Sequence, residues 1–231
     1  MASELRQQGY DTYVGGVTAY STLGYFSDPV LNTFLKSGNL EVARLIFHEL
    51  AHQVLYVEGD TVFNESFAVT VENEGLRRWL EYTSNAKLES SVTVQQQRKA
   101  AFVELVGDYH DKLQEIYGSN LSVSAKRFAK SEVMSDMKRD YLSQQEVLGE
   151  SPVYKTWFEQ DFNNAKMASL GMYTQLLPAF RALLAAEHND LPRFYRTVAD
   201  LAGRPFAQRR EVLNRIQPVK TLVNSEFTGV K

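Results

Sequence analysis

Residues 42–55 read Val-Ala-Arg-Leu-Ile-Phe-His-Glu-Leu-Ala-His-Gln-Val-Leu, and the five from His48 to His52 have the form His-Glu-x-x-His. On a helix, positions i and i+4 stand one turn apart on a single face, so His48 and His52 can offer two imidazoles to one metal ion while Glu49 points to the flank. The positions around the pentad, from Val42 to Leu55, are apolar on nearly every face, and this pattern predicts a buried helix. Two imidazoles and a carboxylate in such surroundings are costly unless something binds them. The chain has four histidines and two fall at this spacing about a glutamate, a match that ordinary residue usage produces in roughly one chain per hundred of this length. Metal binding is the reading that follows.

A catalytic zinc site takes three protein ligands and keeps one position open for water. The 231 residues contain no cysteine, which excludes disulfides and thiolate ligands, so any metal site draws on histidine and carboxylate. Gly59 and Asp60 break the first helix, and Asp60 is the expected N-cap of a second. Glu65 sits early in that second helix, and Ala68, Glu72, Leu76 and Trp79 follow on its face. The small Ala68 lets the two helices approach closely enough for Glu65 to be the third ligand. Glu72 lies about 10 Å from Glu65 along the helix axis, too far to share one ion. Glu72 and Asp60 each read either as a carboxylate that orients an imidazole or as a solvated helix charge.

The strings His48-Glu-Leu-Ala-His-Gln53 and Asn64-Glu-Ser-Phe-Ala68, with Asp60 before them and Glu72 after, resemble the metal-site segment of the aminopeptidase N family, among the glutamate-type zinc metallopeptidases or gluzincins. One departure is the twelve residues between His52 and Glu65, fewer than in that family. A closer resemblance is to a bacterial aminopeptidase family of HExxH proteins, carried by Gly15-Gly-Val-Thr-Ala-Tyr-Ser-Thr-Leu-Gly-Tyr-Phe-Ser-Asp-Pro29, Ile46–Gln53, Gly59–Ala68 and Val71-Glu72. It is dense over residues 10 to 80 and thins to scattered positions such as Phe162-Asn-Asn-Ala165. The resemblance implies one zinc ion held by His48, His52 and Glu65, a peptide substrate, and export to the periplasm or a membrane anchor in a bacterium. Its members carry a longer N-terminal part, which implies that this chain is a shortened form.

In such a site zinc acts as a Lewis acid, and Glu49 is the expected general base, taking a proton from the attacking water and passing it to the leaving amine. A donor for the developing negative charge is also required. Of the remaining histidines, His110 falls on the polar edge of an amphipathic helix and His188 near a helix C-terminus, where positive charge suits the dipole. Among the twelve tyrosines, Tyr173 is the candidate because it follows Asn163-Asn164 in the later family-like stretch; the plain alternative is a core side chain. The Gly-x-Met-Glu-Asn string with which the aminopeptidase N family holds a substrate's amino group is missing, so an endopeptidase stays open. In its place Val17–Gly24 reads as a strand, either one that holds an extended substrate or an ordinary sheet strand.

Composition bounds the rest. A net charge of −3 leaves no basic patch for nucleic acid, no stretch reaches the apolar length of a membrane span, and Met1-Ala-Ser-Glu lacks the regions of a signal peptide. Helical spacing recurs from Phe102 to Tyr117 and, after the break at Gly118-Ser-Asn120, from Phe128 to Tyr141, predicting a hairpin over 92–147. Further helices are expected over 162–187, with a kink or break at Pro178, and over 191–202, with a stop at Gly203. The expected architecture is α+β and mainly helical: a gluzincin-like core with a small N-terminal sheet, two metal-binding helices and a helical C-terminal half that closes a cleft. It forms one domain over 1–231, with a possible division into a metal-binding part, 1–148, and a helical part, 149–231. Two functions follow, a zinc aminopeptidase or a catalytically silent, metal-stabilised binding or scaffold protein; Glu49 separates them, since a structural zinc needs no general base.

Overall fold

Helical periodicity dominates the sequence, and the structure, a computed structural model, follows it. It describes residues 1–15, 38–84, 86–149, 152–159 and 162–216, apart from the side chains of 86–87, 146–147, 152–153 and 172–174. The described elements are α1 (Ala2–Gln7), α2 (Asn39–Val54), α3 (Thr61–Thr83), α4 (Ala86–Gly118), α5 (Val123–Ser143), α6 (Gln145–Leu148), α7 (Pro152–Glu159), α8 (Asn164–Thr174), α9 (Leu177–Ala186), α10 (Leu191–Ala202) and α11 (Phe206–Arg215). Among the described residues there is no strand, so the expected α+β class is corrected to an all-helical one. The physical reason is that the expectation rested on one strand-like stretch, and a single strand cannot satisfy its own backbone groups. That stretch, Val17–Gly24, lies outside the described residues.

The chain divides into two compact units, Met1–Val14 with Ser90–Leu170, and Gly15–Glu89 with Gly171–Lys231. In the first, Phe102, Val106, Tyr109 and Leu113 of α4 meet Met137 and Tyr141 of α5 in one buried cluster, as the periodicity predicts. Phe102 stacks on Tyr154, Tyr141 stacks on Phe158, and the Tyr109 hydroxyl donates to Asp140. Phe128, placed on the same periodic face, is instead exposed. Asn163 caps α8 by accepting from the Lys166 amide at 3.1 Å and donates to the Thr12 carbonyl at 3.0 Å, while Asp11 accepts from the Asn164 amide. The Asn163-Asn164 pair therefore fastens residues 11–12 to the start of α8.

The second unit is built around α3. Its positions 63, 67 and 71 recur every four residues and bury Phe63, Phe67 and Val71 against α9 and α10. Phe63 meets Phe180 edge-on with ring centroids 5.0 Å apart, and Phe67 stacks on Phe194 at 5.8 Å. Pro178 does not kink a helix: the chain breaks at Gln175–Leu176, and Pro178 occupies the first turn of α9, where its missing N–H leaves no bond unmade. The helix α2 packs along α3 and is less buried than its composition predicts. Ala51 and His52 are covered, yet Ile46, Leu50 and Val54 are 43%, 49% and 51% exposed. The pair approaches closely at Gly75, where a Cβ would meet the Phe47 ring at 2.8 Å.

Candidate metal centre

Two local devices set the entry of α3. Gly59, at φ 76, allows the turn that ends at Asp60, and Asp60 caps the helix by accepting from the Phe63 amide at 3.2 Å. Asn64, fully buried, donates through its amide to the Val57 carbonyl at 2.8 Å and accepts from the Val57 amide at 2.9 Å. This pair of hydrogen bonds staples the connection between the helices to the first turn of α3. The next residue is Glu65, so the staple sets where its side chain starts.

His48, His52 and Glu65 converge: among the described residues these three place one ligand atom each within 4.8 Å of one another. The two Nε2 atoms lie 3.3 Å apart, His48 Nε2 is 3.2 Å from Glu65 Oε2, and His52 Nε2 is 3.7 Å from Glu65 Oε1. Bonds of about 2.0–2.1 Å to a tetrahedral zinc place ligand atoms about 3.3 Å from one another. The spacing and the donor set, two imidazole nitrogens and a carboxylate, fit that ion. The other face of His48 is also held, since Nδ1 lies 3.2 Å from Glu72 Oε2. Glu72 thus orients an imidazole, and its alternative as a solvated charge falls away because it is buried. His52 Nδ1 is buried with no hydrogen-bond partner, and the Tyr56 ring stands edge-on to His52 at 6.2 Å.

Electrostatics separate the two imidazoles. Burial pulls His48 down, but hydrogen bonds and charge from Glu65 and Glu72 outweigh it and raise His48 to about 9. His52 is lowered, by burial first and by the neighbouring His48, against the pull of Glu65. A proton and a metal ion compete for the same Nε2 atoms.

The other expected residues divide. Glu49 is half-buried on α2, directly after His48. Tyr173 falls in the last turn of α8, and its side chain lies outside the described residues. His110 is exposed beside Asp111, and His188 sits at positive φ in the turn after α9. Asp60 does not orient an imidazole. Its carboxylate accepts from Arg209 at 3.0 and 2.8 Å and from Arg210 at 2.7 Å, in addition to its capping bond. Arg209 and Arg44, which faces Glu72, are the residues that sequence reasoning missed. Only the one-turn spacing of Arg44 before His48 could have flagged either of them. A cavity of about 680 Å³ is lined by Phe47, Leu50, Gly75, Trp79 and Tyr195 among others, and His48, His52 and Glu65 are not among the residues that line it.

With this geometry in view, comparison with known proteins gives one match. A family model described as "Putative aminopeptidase" matches residues 1–213. The chain belongs to that family. No match was found among the curated proteins or the solved structures. The three converging donors and the HExxH pentad all fall within the matched span. Among the described residues no helix is long and apolar enough to cross a membrane.

Proposed function

We propose that the chain is a zinc-dependent aminopeptidase of the gluzincin type. The observation that carries this reading is the convergence of His48, His52 and Glu65 at the spacing of a tetrahedral site, with a carboxylate, Glu49, on the same turn of α2. When bound, zinc supplies a Lewis acid that acidifies water and polarises the scissile carbonyl. His48, His52 and Glu65 are the residues that would hold the ion. Glu49 takes the proton of the attacking water and returns it to the leaving amine. Glu72 accepts from His48 Nδ1 and so keeps Nε2 free for the ion. Tyr173 is proposed, on the sequence pattern, as the donor to the developing oxyanion. The substrate is a peptide with a free N-terminus, in keeping with the family to which the chain belongs.

The test pairs elemental analysis of the purified chain with hydrolysis of free and N-terminally blocked peptides, before and after chelation. One zinc per chain and chelator-sensitive cleavage of free N-termini alone are expected. Cleavage of blocked peptides would make the protein an endopeptidase, and bound zinc without cleavage would make it a silent binding protein. A chain that takes up no metal when zinc is supplied overturns the reading.

A further inference from the structure

The metal reading above is the ground for a further assignment, to a residue with no role yet. Arg44 lies one turn before His48 on the same face of α2, with its side chain 15% exposed. Its Nη1 stands 3.8 Å from Glu72 Oε1, while Oε2 of that carboxylate is 3.2 Å from His48 Nδ1. A charged group, a carboxylate and an imidazole thus stand in series, and the imidazole's far nitrogen faces Glu65 and His52.

Packing alone does not account for an arginine there. Its Nε and Nη2 are buried with no hydrogen-bond partner. Its two carboxylate neighbours, Glu72 Oε1 at 3.8 Å from Nη1 and Glu41 Oε1 at 3.9 Å from Nε, are ion-pair contacts beyond hydrogen-bond reach, of which only Glu72 is buried. Unmade buried N–H groups destabilise, and an apolar side chain of similar length would fill the space without that penalty. What the apolar side chain lacks is the permanent charge beside Glu72. We propose that Arg44 is a positioning residue of the metal centre: its guanidinium holds the Glu72 carboxylate against His48 Nδ1, so that His48 presents Nε2 to the ion. Glu72 stands two turns beyond Glu65 on α3, so the same contact ties α2 to α3 beside two of the three ligands.

The experiment measures zinc affinity of the full chain by competition with a chromophoric chelator, with the melting temperature of the metal-free form recorded alongside. The variants are Arg44→Gln, Arg44→Met, Arg44→Lys, Glu72→Gln and the double change Arg44→Met with Glu72→Gln. Losing an orienting partner weakens metal binding by about 10- to 100-fold, and that loss is expected in Arg44→Gln and Arg44→Met without a matching fall in metal-free melting. Arg44→Met keeps the packing of the stem and reads the effect if Arg44→Gln fails to fold. Arg44→Lys, which restores the charge, is expected to recover part of the affinity, and the double variant should bind no more weakly than Glu72→Gln. Wild-type affinity in a folded Arg44→Met or Arg44→Gln chain overturns the role of Arg44. So does a double variant whose loss is the product of the two single losses, since Arg44 would then not act through Glu72. A wild-type chain that binds no zinc overturns the metal reading itself and this inference with it.

Discussion

The helices α2 and α3 carry the three converging donors between them, yet they are covered in opposite ways. The apolar α2 leaves Ile46, Leu50 and Val54 open and buries only Leu40, Ala51 and His52. The more polar α3 buries Asn64, Ser66, Thr70, Glu72 and Glu74 together with its aromatic face. The difference teaches that burial follows partners and not composition. Each polar group of α3 has somewhere to go: Asn64 to the Val57 backbone, Thr70 to the Ser66 carbonyl, Glu72 to His48, and Glu74 to Arg77 and Arg78. The helix α3 is a shelf packed on several sides, and α2 is a plate laid along it.

The contrast can be broken or sharpened in order of effect. The largest change is chemical: Glu49→Gln should lower kcat/KM for peptide hydrolysis by about 10²- to 10⁴-fold, with zinc content unchanged, whereas His48→Ala should lose both metal and activity. Parallel elemental analysis and kinetics separate the two outcomes, and wild-type activity in Glu49→Gln would sink the mechanism. Next is the shelf. Phe67→Ala should cost about 3–5 kcal/mol in urea unfolding, and Leu50→Ala on the open face of α2 no more than about 0.5 kcal/mol. Comparable losses would show that α2 is covered after all.

Third, Gly75→Ala tests the line of contact itself. Alanine normally stabilises a helix interior relative to glycine, but here the new methyl group meets the Phe47 ring, and a net loss of about 1–3 kcal/mol is expected. A stabilised Gly75→Ala chain would mean that the two helices separate freely. The smallest effect is one of pH. Burial raises the Glu74 carboxyl, but hydrogen bonds from Arg77 and Arg78 outweigh it and hold the group below its ordinary 4.5. A carboxyl depressed by folding contributes stability that is present above its unfolded value and is lost as pH falls through the folded one. Urea midpoints should therefore fall with pH below about 4.5 more steeply in the wild-type chain than in Glu74→Gln; equal slopes would remove Glu74 from the shelf's support.

Much of the centre was legible because it is local. The i, i+4 spacing of His48 and His52 is a property of any α-helix, and the Gly59-Asp60 turn, the Asp60 cap and the early position of Glu65 are written within one short segment. The long helices α4 and α5 were legible for the same reason, from repeats that need no distant partner. The sheet was misread because a strand is defined by the neighbour it pairs with, and one β-like stretch supplies no neighbour.

What the sequence by itself determined is therefore the set of donors and the helices that bear them, since backbone geometry places residues four apart on one face whatever surrounds them. Only the tertiary structure decided which carboxylates serve which partners. Glu72 turns to His48 and Arg44 because α2 lies along that side of α3, and Asp60 turns to Arg209 and Arg210, about 150 residues further on, because α11 returns to the start of α3. A buried charge takes the partner that the fold brings to it, and no local spacing encodes a partner so far along the chain.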